Sequence, residues 1–61
     1  NNTPKEEIIT IMSDNNYEVK EDDIISLELY YDGITINVYF EDNKAKYALV
    51  EVYAKYLGRY I

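Results

Sequence analysis

Apolar positions recur along the chain with two different periods, and the switches between them predict the elements. Ile8, Ile11 and Met12 fall at helical spacing, with Ile9 at the edge of the same stripe. The string Thr3-Pro4-Lys5-Glu6 ahead of them reads as a helix start. Thr3 is placed to accept from the backbone of Glu6, Glu6 to reach back, and Pro4 to occupy the first helical position, where its missing N–H costs nothing. Ser13-Asp14-Asn15-Asn16 predicts the helix end, because asparagine tolerates the left-handed backbone that helix ends use. Tyr17 to Lys20 then alternates, giving a short strand with Tyr17 and Val19 inward, and Glu21-Asp22-Asp23 follows as a polar turn.

Alternation resumes from Ile24 to Tyr31 and from Ile34 to Phe40, with Asp32-Gly33 between them, the strongest short-range hairpin signal. A two-residue turn fixes the register, pairing Tyr31 with Ile34, Leu29 with Ile36, Leu27 with Val38 and Ile25 with Phe40 on one apolar face. The other face pairs Tyr30 with Thr35, Glu28 with Asn37 and Ser26 with Tyr39. Slipping by one residue turns the apolar set toward water, so this register is firm. Glu41-Asp42-Asn43 reads as a second capping region, with acids at the positive end of a helix from about Lys44 to Leu57. Gly58 is its predicted terminator, and Lys55 and Arg59 suit its C-terminal end. Ala45, Leu49, Val52 and Tyr56 make one stripe of that helix, while Val50, Tyr53, Ala54, Leu57 and Ile61 widen it beyond what one sheet contact needs. The order predicts an α+β fold in two layers: helix, three-stranded antiparallel meander, helix, with both helices on one face of the sheet. Residues 1–61 form a single small domain.

Charge adds the first functional information. Residues 14–32 hold Asp14, Glu18, Glu21, Asp22, Asp23, Glu28 and Asp32 against Lys20 alone, which equals the net charge of −6 of the whole chain. A one-signed cluster steers basic partners and repels nucleic acid and anionic membrane, so neither direct nucleic-acid binding nor membrane binding is expected. The same acids also serve solubility, and the sequence leaves both roles open. No apolar run is long enough to cross a membrane, and the absence of cysteine leans toward the cytosol. The chain opens on Asn1, so a processed or trimmed start is expected.

Catalysis is poorly supplied. The chain has no histidine and no cysteine, so its hydroxyls lack the usual base, and glycine-rich phosphate loops are absent. Glu21-Asp22-Asp23 lacks the alternating ligand spacing of a calcium loop, so no metal and no cofactor is expected. Tyrosine supplies eight of the nine aromatics. Tyr30 and Tyr39 fall on the outward face of the hairpin beside Glu28, either as interface contacts or as strand formers tolerated half-exposed.

With this order of elements, the chain resembles the small acidic phage- and prophage-borne anti-CRISPR proteins that inhibit type II effector nucleases. The resemblance runs from about Ile8 to Leu57. It is carried by the short helix ending in Asp/Asn, by Asn16-Tyr17-Glu18-Val19-Lys20, by the turn at Asp32-Gly33 and by Glu41-Asp42-Asn43. It implies a stoichiometric inhibitor in the bacterial cytoplasm that sets carboxylates where duplex DNA sets phosphates. The implied partner is a basic protein surface, the arginine- and lysine-rich site of a CRISPR effector nuclease that reads the short motif flanking its target. On this view Asp14, Glu18, Asp22, Asp23 and Asp32 join Glu28, Tyr30 and Tyr39 as partner-binding residues, with Gly33 needed for the turn. The competing expectation is a small homo-oligomer that associates through the broad apolar face of the helix at 44–57 or through the hairpin edge.

Overall fold

The computed structural model describes residues 2–53. One helix, α1 (Lys5–Asp14), is followed by four strands: β1 (Glu18–Asp22), β2 (Ser26–Tyr31), β3 (Ile34–Glu41) and β4 (Lys44–Val52). The strands form one antiparallel meander in the order β1-β2-β3-β4. The expected three-stranded sheet with a second helix is therefore corrected: residues 44–52 are a fourth strand.

The reason lies in Asp42-Asn43. Both residues take positive φ, at 53° and 61°, the backbone of a two-residue hairpin turn whose twist matches the strands it joins. Asparagine and aspartate reach that region more readily than other non-glycine residues, so the pair that reads as a helix cap serves as a turn. Glu41 then faces Lys44, and β4 runs back along β3 with Tyr39 opposite Tyr47, Ile36 opposite Val50 and Ile34 opposite Val52. A bulge between Tyr39 and Phe40 places Ala45 opposite Phe40 and leaves Lys46 as the extra residue. An apolar arc spread right around a helical wheel is also what a strand with apolar residues on both faces produces, and periodicity alone does not separate the two. With the strand, the helical interface for self-association over residues 44–53 falls. The rest of that predicted helix, 54–57, and Gly58 lie outside the described residues.

The Asp32-Gly33 hairpin has the expected register throughout β2 and β3, from Tyr31 opposite Ile34 to Ser26 opposite Tyr39. Asp32 and Gly33 take φ of 45° and 83°. Ile25 departs from expectation. It precedes β2 and is exposed, and its carbonyl accepts from the Phe40 N–H at 2.8 Å. The polar turn expected at Glu21-Asp22-Asp23 also moves: Glu21 and Asp22 belong to β1, opposite Glu28 and Leu27, and the chain turns through residues 23–25.

One face of the sheet carries the core. Leu27 and Leu29 are fully excluded from solvent, and Val38, Phe40 and Ala45 are buried around them. Ile8, Ile9 and Met12 of α1 pack on this cluster with Tyr17 and Ile36, whereas Ile11, expected in the same stripe, is half exposed and the edge residue Ile9 takes its place. The helix start falls one residue later than expected. Pro4 is the N-cap, and the Glu6 carboxylate accepts from the Asn43 side chain at 3.0 and 3.3 Å. The helix ends as expected within residues 13–16: Asn15 is its C-cap, and Asn16 follows at a φ of 71°.

Backbone bonds fix where α1 starts. The Ala45 N–H donates to the Thr3 carbonyl at 2.8 Å and the Lys5 N–H to the Asn43 carbonyl at 3.3 Å, so residues 3–5 lie along the first turn of β4. Lys5 then reaches across to the far edge of the sheet. Its ammonium pairs with Asp22 at 2.8 Å, bonds the Asp23 carbonyl and sits 5.3 Å from the centre of the Phe40 ring. With α1 held on the core face, no described element covers the opposite face.

Candidate interaction face

Residues paired across an antiparallel sheet share a face, so the register alone places the side chains opposite α1. Nearest the Asp32-Gly33 turn lies a row of Glu18, Tyr30, Thr35 and Glu51. Behind it run Glu21, Glu28, Asn37 and Leu49, and behind those Ser26, Tyr39 and Tyr47. These three rows therefore set four carboxylates and three tyrosines on one open face, and Glu41, paired with Lys44, follows Tyr39 at its end.

The tyrosines are ordered by local contacts. Tyr39 and Tyr47 stack at 4.9 Å between ring centres, 20° from parallel. The Tyr30 hydroxyl accepts from the Gly33 N–H at 3.1 Å, so the turn also positions that ring. Lys20, the bulge residue of β1, lies over Tyr30 at 5.7 Å from the ring centre and 3.8 Å from the Glu18 carboxylate. A carboxylate beside an aromatic face is a receptor for an ammonium or guanidinium group, and here the chain's own lysine occupies one.

Two shallow depressions flank the middle row. One is lined by Tyr30, Gly33, Thr35, Glu51, Val52 and Tyr53, the other by Ile25, Tyr39, Phe40, Glu41, Lys46 and Tyr47. Each offers an aromatic wall and a carboxylate. Neither encloses a substrate, and the described residues include no cluster of acids able to hold a metal ion. No described helix is long and apolar enough to cross a membrane.

The residues expected to bind a partner divide between the two sides. Glu18, Glu28, Tyr30 and Tyr39 come together on the open face, with Asp32 and Gly33 at its rim in the turn. Asp14 ends α1 in the other layer. Asp22 pairs with Leu27, which turns it to the α1 side and into its ion pair with Lys5, while Asp23 offers its carbonyl to the same lysine. Glu21, Tyr47, Leu49 and Glu51 belong to the open face without having been expected there. The signal that identifies three of them is Asp42-Asn43 as a turn, since it puts Tyr47, Leu49 and Glu51 on alternate positions of a strand.

Glu21 stands directly opposite Glu28. Like charges facing each other across a sheet are destabilising, so this face gives up some stability to keep its charge. Glu21→Lys replaces the repulsion with an opposite-charge pair. It is expected to stabilise the fold by about 0.5 kcal/mol, a rise of about 2–4 °C in Tm for a domain this small, read by thermal unfolding at low salt. High salt should shrink the gain.

The chain matches no family model, no curated protein and no solved structure.

Proposed function

We propose that this chain is a non-catalytic acidic protein-binding module that docks the open face of its sheet on a basic protein surface, one that otherwise holds nucleic acid. The observation that carries the reading is the meeting of Glu18, Glu21, Glu28 and Glu51 with Tyr30, Tyr39 and Tyr47 on the face that α1 leaves bare. Carboxylates spaced over a sheet face take the place of phosphates toward lysine and arginine, and the tyrosines supply rigid area and cation–π faces. Steering by the net charge of −6 speeds approach to such a surface. The partner class is the arginine- and lysine-rich site with which a CRISPR effector nuclease of type II reads the motif flanking its target, and the setting is the bacterial cytoplasm. In this role the module is a stoichiometric inhibitor of phage type, and it needs no cofactor.

The test is binding to a panel of guide-loaded type II effectors, with and without a duplex carrying the flanking motif. Binding should be displaced by that duplex and should weaken at least tenfold as salt rises from about 50 to 200 mM, as expected where several ionic contacts form. Binding to no effector of the panel, or binding indifferent to the duplex, would overturn the reading.

A further inference from the structure

The two edges of the sheet are unlike. Glu18, Lys20, Glu21 and Asp22 charge the β1 edge, and a bulge interrupts it at Lys20. Charge and bulges are the usual means by which an edge strand is kept from pairing with another chain. β4, at the other edge, has no such protection beyond its first turn. Lys44 and Ala45 are flanked by residues 3–5, and Lys46 forms the bulge. From Tyr47 to Val50 the strand is uncharged, and no described strand pairs with its outer side. Tyr47, Leu49 and Val50 are 59%, 55% and 61% exposed, although they alternate between the two faces of the sheet.

We infer that residues 47–51 of β4 pair antiparallel with the same residues of a second copy of this chain, about a two-fold axis at Leu49. An unpaired strand edge offers a row of N–H and C=O groups, and an apolar partner strand satisfies both the backbone and the side chains. Centred on Leu49, the pairing sets Leu49 against its own copy on the open face, Ala48 against Val50 on the α1 side, and Tyr47 against Glu51. No like charges meet in it. The pairing stops short of Lys46, where the bulge and the N-terminal segment would obstruct a longer one. A two-fold axis normal to the sheet closes the assembly as a dimer. It makes one eight-stranded sheet from two four-stranded ones, with both helices on one side and both acidic, tyrosine-bearing faces on the other. The dimer follows from the edge and not from the binding role, and either idea survives failure of the other.

Light scattering on the full chain should give twice its 7.2 kDa mass. Leu49→Lys, which sets two ammonium groups against each other at the axis, should return the mass to one chain. The chain has no cysteine, so Leu49→Cys provides a second readout that does not depend on disrupting the pair. Under mild oxidation it should cross-link far faster than Ile11→Cys on the exposed side of α1. A wild-type mass of 7.2 kDa, as expected if residues 54–61 or a different protein cover this edge, would overturn the inference. So would cross-linking of Leu49→Cys no faster than that of Ile11→Cys.

Discussion

Leu27→Ala is expected to leave most of the chain unfolded at room temperature. Leu27 and Leu29 are the fully buried large side chains among the described residues, side by side under α1. Truncating a buried leucine costs about 2–5 kcal/mol, made up of the lost burial and the cavity left behind. A single core in a chain under about 70 residues rarely supplies more than about 3–5 kcal/mol in all. The substitution therefore takes most of the stability of a 61-residue chain. The measurement is a thermal or urea melt followed by circular dichroism. Ile24→Ser is the control: Ile24 is 89% exposed in the connection before β2, and its replacement should change stability by no more than about 0.5 kcal/mol. A cooperative Leu27→Ala melt within a few degrees of the wild type would mean that the core does not lie where this account places it.

The second large effect concerns binding and leaves the fold intact. Glu28→Lys with Glu51→Lys reverses two of the four carboxylates in the three rows of the open face. Glu28→Lys also faces Glu21, so the fold gains an opposite-charge pair where it had a repulsion. Against a basic partner, each reversal replaces an attraction with a like-charge contact worth several kcal/mol where the charges are desolvated. Affinity should fall by about a hundredfold or more, while the melting temperature holds or rises. Loss of affinity together with loss of the cooperative melt would point to damage of the fold and not of the face.

How much of this was legible in the sequence depended on whether a local signal had one physical meaning. Asp32-Gly33 did: glycine takes positive φ freely, aspartate accepts it, and the alternation on both sides made every pair from Tyr31–Ile34 to Ser26–Tyr39 readable in advance. Asp42-Asn43 had two meanings. The same residue types cap helices and form two-residue turns, and Glu41 ahead of them strengthened the helical meaning. What followed, Ala45 to Val52, is apolar enough to fit either period. Pairing with β3 decided it, because the free side of β3 exposes its own backbone bonds and the turn delivers residues 44–52 directly onto them. Tertiary context of that kind is not written in a local window.

The acidic site was legible in part for the same reason. Clustering of charge over 14–32 is a property of sequence, but sorting those acids by face needs the strands. Glu18 and Glu28 share the open face because of register, and Asp22 leaves it because the β1 bulge shifts the pairing by one residue. Lys5, distant in sequence, then takes Asp22 for its ion pair. Glu18, Glu21, Glu28 and Glu51 remain opposite α1, with three tyrosines among them.

The most direct test of that face is guided DNA cleavage by a panel of type II effectors, with three forms of this protein added in excess. The forms are the wild type, the open-face pair Glu28→Lys/Glu51→Lys, and a pair on α1, Glu7→Lys/Asp14→Lys, which makes the same change in net charge on the other layer. Inhibition is expected from the wild type and from the α1 pair, and none from the open-face pair. Inhibition that survives reversal on the open face and is lost by reversal on α1 would contradict a role for the open face.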